Sequence, residues 1–258
     1  MSTSAADQHL CWTYDTPGQL HAYAQAYLGA GIAAGERVWF AGTSDPGWLP
    51  AGAEFVSLEA TYAAGELVEP EAQVAAYAQA TAAALGDGHT GLRVFADCTA
   101  LVDTAERLDA FARYEALVDR YIAVHPMRAI CALHRGTVGD EAVGALACLH
   151  PGTNAADVLF AVRGDPHDPN AALLSGELDS TAEELFPAAL ARVQPRPENG
   201  KIVFHAHALR FIDHRALLHL QRHAEQRDVT AVLHTPLATA AHLVELLRLT
   251  RIRVEAAR

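Results

Sequence analysis

Lysine is nearly absent: Lys201 is the only one in 258 residues. A phosphate-binding P-loop needs a lysine beside its glycines to reach the β- and γ-phosphates. Lys201 follows Asn199-Gly200 and leads into a strand pattern, so a Walker-type nucleotidase is excluded. An exposed strand start is also a poor place for a lysine Schiff base. The four cysteines, Cys11, Cys98, Cys131 and Cys148, form no C-x-x-C pair. They read as reduced, buried thiols of a cytoplasmic protein rather than a disulfide framework or a zinc knuckle. Neither a G-x-S-x-G elbow nor an H-E-x-x-H helix occurs, so no catalytic residue and no cofactor is expected. No apolar run approaches the ~18 residues that cross a bilayer, and the polar start Met1–His9 shows no secretory pattern. Basic residues are outnumbered, with a net charge of −12, which argues against a general nucleic-acid binder.

What is abundant is histidine, at 14 residues. His219 and His223 are spaced i, i+4, and His205 and His207 share a strand face, but Leu220 stands where a zinc protease has glutamate. No three-ligand set has standard spacing, so no metal is expected. Charge is unevenly divided: residues 1–153 hold 18 acidic and 7 basic side chains, residues 154–258 hold 13 and 12. With Pro151-Gly152-Thr153-Asn154 read as a linker or turn, the break predicts two domains, 1–153 and 154–258.

In the first half, Thr16 and Pro17 open a helix carrying the stripe Leu20, Tyr23, Ala24, Tyr27 and Leu28, ended by Gly29 and Gly31. Strands follow at Arg37–Gly42 and Phe55–Leu58, then a helix at Glu71–Leu85 and a strand at Leu92–Ala96. Asp103, with Glu106, is read as the cap of a helix lined by Leu108, Phe111, Val118 and Ile122. Met127–Leu133 is a further strand. This alternation predicts an α/β layered fold with a largely parallel sheet. In the second half, strands are expected at Val158–Val162, Ala172–Leu174, from Ile202, at Val229–Leu233 and at Ile252–Val254. Helices are expected behind Ser180 (boxed with Glu183), behind Asp213 and from Leu237.

The segments His9-Leu10-Cys11-Trp12-Thr13-Tyr14, Gly31–Glu36, Gly91–Val94, Tyr114-Glu115, Cys131–Leu133 and His150-Pro151 resemble the MEDS sensory domain. That family is named from methanogens, methylotrophs and the dichloromethane-responsive regulator. The resemblance implies a RecA-like or Rossmann-like three-layer α/β domain without a nucleotide loop, sensing a small molecule. Candidate ligand-binding residues are His9, Cys11, Trp12, Tyr14, Arg93, Asp97 and His150. The first four also read as a strand whose aromatics pack in the core, where aromatic residues at strand spacing more often lie. Asp97, at a strand end, lies where α/β proteins bind ligands, or simply caps a loop.

Leu174-Ser175-Gly176-Glu177-Leu178-Asp179 and Leu209-Arg210-Phe211-Ile212-Asp213 resemble the STAS domain of anti-sigma factor antagonists. The resemblance implies a smaller STAS-like α/β fold over about 156–255. It also implies a partner face at the helix after Asp213, with Glu177, Asp213, His214 and Arg215 as candidate contacts. His214 departs from the family pattern, which has a phosphorylatable Ser or Thr there. The expected function is a cytoplasmic signal-transduction protein in which a small-molecule sensor controls binding to an anti-sigma factor or similar regulator. No membrane or direct nucleic-acid partner is expected, and a homodimer is left open. The alternative is a ligand-processing enzyme using a pocket in the first domain.

Overall fold

The computed structural model describes residues 8–58 and 67–256. The polar start before Gln8 lies outside them. The chain divides into two compact units, Met1–Ala155 and Ala156–Arg258.

In unit 1, strands β1 (His9–Tyr14), β2 (Arg37–Gly42), β3 (Ala53–Ser57), β4 (Leu92–Asp97), β5 (Met127–His134) and β6 (Gly152–Thr153) form one sheet in the order β3-β2-β4-β5-β1-β6. Every pairing is parallel. Among the described residues the main helices are α1 (Pro17–Ala33), α2 (Pro70–Gly86), α3 (Ala105–Ile122) and α4 (Arg135–Ala147). Helix α1 starts with a complete capping box: Thr16 accepts from the Gln19 N–H, and the Gln19 side chain accepts from the Thr16 N–H. Its Ala24 and Leu28 pack on Tyr14, Val38, Phe40, Phe95, Ile130 and Ala132, one face of the sheet. Strand alternation sends the intervening residues Val94, Ala96, Ala129 and Cys131 to the other face, where they meet Tyr77 of α2 and Phe111 and Tyr114 of α3.

Several local expectations need correction. Gly31 does not end α1, which continues to Ala33. A Cβ at Gly31 would come within 2.5 Å of Arg93 Cδ and 2.9 Å of Val38 Cγ2, so glycine here permits close helix-sheet approach. The cap of α3 is Thr104, whose hydroxyl accepts from the Arg107 N–H; Asp103 instead pairs with the Arg107 guanidinium. Pro151–Asn154 is not a linker. Gly152 and Thr153 pair with Leu10 and Cys11 as the edge strand. The Asn154 amide then clips the Thr13 backbone, accepting from its N–H at 2.8 Å and donating to its carbonyl at 2.9 Å.

Unit 2 is a second α/β domain. Its sheet runs β11-β10-β9-β8-β7, from β7 (Phe160–Gly164), β8 (Ala171–Leu178), β9 (Lys201–Ile212), β10 (Thr230–His234) and β11 (Ile252–Glu255). The β7-β8 pair is antiparallel and the rest are parallel. Helices α5 (Leu185–Val193), α6 (His214–Gln226) and α7 (Ala238–Leu246) connect them. The expected Ser180 box does not form: Asp179 accepts from the Thr181 N–H at the head of a single 3-10 turn. Gly176, at φ +84°, sits at a register shift in β8, and a Cβ there would overlap the Leu159 carbonyl. Among the described residues, no helix is long and apolar enough to cross a membrane.

Candidate functional site

The register of β1 against β5 sets Cys11 opposite Cys131 and His9 opposite Ala129. Because strand side chains alternate, His9, Cys11 and Cys131 share the face covered by α3. On α3, Glu115 and Asp119 occupy consecutive turns of a stripe that also holds Phe111, Val118 and Ile122, all of them buried. His150 follows α4 and is likewise buried. Four elements thus deliver polar groups to one dry spot. His9 Nε2 and His150 Nε2 each lie 3.1 Å from Glu115 Oε2. Cys131 Sγ is 3.2 Å from Glu115 Oε1 and 3.8 Å from His9 Nε2. The far side of each ring is also held: His9 Nδ1 faces Asp119 Oδ1 at 3.0 Å, and His150 Nδ1 faces the Leu146 carbonyl at 2.9 Å.

Buried ionisable groups are rare unless paired, because desolvation disfavours the charged form. For Glu115, burial pushes the carboxyl up, but His150 and His9 outweigh it and bring it down to about 2. For His9, burial pushes the imidazole down, yet the adjacent Asp119, Cys131 and Glu115 side chains hold it well above the usual histidine range. The Cys131 thiol is pushed up, first by its hydrogen bond with Cys98 and then by burial. Cys11 is pushed up by burial. A protonated, buried thiol is a poor nucleophile, which speaks against thiol catalysis by either residue. A small apolar cavity of about 10 Å³ is lined by Tyr77, Val94, Phe111, Tyr114 and Met127 together with Glu115 and Cys131.

The seven candidate ligand residues do not line one pocket. His9, Cys11 and His150 belong to the α3 face. Trp12 and Tyr14 lie on the opposite face, packed against the α1 core, where Trp12 stacks on Tyr23 with ring centroids 4.4 Å apart. Arg93 is tied to Glu36, donates to the Tyr27 carbonyl at 3.1 Å and sits over the Tyr27 ring. Asp97, at the carboxyl end of β4, accepts from the Tyr14 hydroxyl at 2.9 Å and the Thr99 hydroxyl at 2.7 Å. Glu115, Asp119 and Cys131 lie outside the expected set. The signal for Glu115 was available: it interrupts the apolar stripe Phe111, Val118, Ile122, and a carboxylate on a buried stripe needs a partner.

The family model described as "MEthanogen/methylotroph, DcmR Sensory domain" matches residues 8–151. The chain belongs to the MEDS family. The MEDS match spans β1 to the residue before β6, and so takes in every member of the buried cluster. A signal-sensing role follows from this membership. No curated protein matches the chain. No solved structure matches it either.

Outside the MEDS domain, the candidate partner residues of unit 2 gather around the start of α6. Asp213 caps it, accepting from the Ala216 N–H at 2.8 Å. His214 and Arg215 are exposed in the first turn, and Arg215 pairs with Glu183. Glu177, near the end of β8, pairs with Arg210 at 3.2 Å. Phe211 is 48% exposed beside them. Of the histidine pairs, His205 and His207 stack with centroids 5.9 Å apart. Burial, followed by the nearby Arg227 charge, brings His223 down to about 4.

Proposed function

We propose that this protein is a two-part signalling device: the MEDS domain takes a small, largely apolar molecule, and unit 2 passes the signal by binding a regulatory protein. The observation that carries the first half is the MEDS membership; the small aromatic-lined cavity between the sheet and helices α2 and α3, about 10 Å³, would have to widen to take such a molecule. Ligand sites combine such apolar walls with a few convergent polar groups. Tyr14 belongs to the α1 core cluster, and Trp12 packs against it.

The second half rests on likeness to STAS domains. It is supported by the strand order of unit 2, its single antiparallel edge pair and the exposed first turn of α6 after Phe211-Ile212-Asp213. The partner would be an anti-sigma factor or a similar regulator. With His214 in place of a hydroxyl residue, a Ser/Thr kinase has no acceptor there, so control would come from the MEDS domain. The test is calorimetric titration of wild type and His214→Glu against candidate anti-sigma factors. A negative charge at this turn should weaken binding by roughly 1–3 kcal/mol if the turn is central to the interface. Equal affinity of both proteins for a bound partner would sink the partner-face reading.

A further inference from the structure

We infer that His9, Glu115, Cys131 and His150 form a closed, four-coordinate site for a divalent transition metal of the zinc class. The donor atoms of these four buried side chains all lie within 4.8 Å of one another. Bond lengths of about 2.0–2.3 Å imply edges of about 3.3–3.6 Å in a tetrahedral site. The Nε2 spacings of His9 and His150 from Glu115 Oε2, 3.1 Å each, and the 3.8 Å between Cys131 Sγ and His9 Nε2 scatter around those edges, while Cys131 Sγ lies 3.2 Å from the other carboxylate oxygen, Oε1.

The surrounding shell matches. A metal-ligating histidine usually gives its second ring N–H to a carboxylate or a backbone carbonyl. Here Asp119 takes that role for His9 and the Leu146 carbonyl takes it for His150. With the proton on Nδ1, both Nε2 lone pairs turn toward the Glu115 carboxylate. That sets acceptor against acceptor in a dry interior, a repulsive arrangement unless a cation sits between them. Consistent with this, neither Glu115 Oε2 nor His150 Nε2 makes a hydrogen bond of acceptable angle, despite their proximity.

Satisfying both Nε2 atoms by protons on the rings alone would set two imidazolium rings with centroids 4.1 Å apart. A divalent ion displaces to solvent the Cys131 proton and any proton on the His9 or His150 Nε2. Its charge is then matched by the thiolate and the carboxylate. Two imidazoles, a thiolate and one carboxylate suit zinc or cobalt, not magnesium or calcium. Burial of all four ligands marks the site as structural rather than hydrolytic. The inference does not depend on the partner-binding reading of unit 2.

The experiment is metal analysis and cobalt spectroscopy on the full chain. Wild type, unfolded in chelator and refolded with Co²⁺, should bind one ion per chain. It should show a thiolate-to-cobalt charge-transfer band together with intense tetrahedral d–d bands. Refolding with Zn²⁺ should raise the melting temperature above that of the metal-free protein. Cys131→Ser should abolish the charge-transfer band, while Cys148→Ser, which changes a buried thiol outside the cluster, should keep it. The assignment is overturned by folded wild type that takes up no metal from either ion. It is equally overturned by a band that survives Cys131→Ser, or by one that a folded Cys148→Ser protein lacks.

Discussion

At the scale of single residues, the decisive group is Glu115. It is completely buried and serves both histidines at once. Removing one partner of a buried ionic set leaves the others uncompensated, a loss of about 3–5 kcal/mol. Glu115→Ala should therefore lower unfolding stability by that amount in urea titrations, whereas Glu141→Ala on the exposed side of α4 should change it little. His223 supplies a pH signature. Its pKa falls from the ordinary 6.5 to about 4 in the folded chain. Between those values the unfolded chain binds a proton that the folded chain refuses. Stability therefore falls as the pH drops from about 6.5 to 4, and above 6.5 this group contributes nothing. His223→Gln should flatten the melting-temperature profile in that window and leave it unchanged above neutrality. Unaltered curvature between pH 4 and 6.5 would show that the His223 site has no such effect.

At the scale of elements, capping chemistry carries the predictions. Asp213→Ala removes the acceptor for the Ala216 N–H and should cost about 1 kcal/mol, measured by chemical unfolding, while Asp213→Asn should cost less. Between β1 and α1 only Asp15 and Thr16 intervene, which leaves no length for a phosphate-wrapping loop. Calorimetric titration with Mg²⁺-ATP should therefore give no binding heat at this turn. The same local signals explain how much was readable in advance. Thr16-Pro17 and Asp213 announced their helices, short apolar runs announced β2, β4 and β5, and an alternating run announced β9. Helix α4 gave no such warning. Its segment Arg135–Ala147 contains three glycines, and Gly139, at φ +78°, kinks it. Its helical state comes from burial against the sheet, which local propensity does not record. The buried cluster was half visible for a related reason. His9 and His150 were candidates, but Cys131 and Glu115 reach them from residues more than ten positions away in sequence, through sheet register and helix phase rather than any short motif.

At the scale of the whole molecule, the proposed function joins two sites through a single coupling free energy. If a ligand in the MEDS domain changes partner affinity by some factor, the partner must change ligand affinity by the same factor. Titrating each component in the presence and absence of the other should return equal ratios. Ratios of unity both ways would mean that the two units act independently, and the signalling reading would fail while the metal site would stand. The acidity of the chain belongs to this scale as well. With a net charge of −12, retention on duplex DNA should be negligible even at low salt, where counterion release is strongest.

Strand β1 finds both of its neighbours, β5 and β6, at the far end of its own domain. On a ribosome this is a question of time. A chain growing at 5–20 residues per second needs about 6–25 s to make the stretch separating β1 from β5. Throughout that interval the strand bearing His9 has no sheet to join. The nascent domain is then an open half-sheet, vulnerable to proteases and in need of chaperones, until its last strands emerge. The four-residue cluster is the latch of that closure, since one member is synthesised first and another almost last.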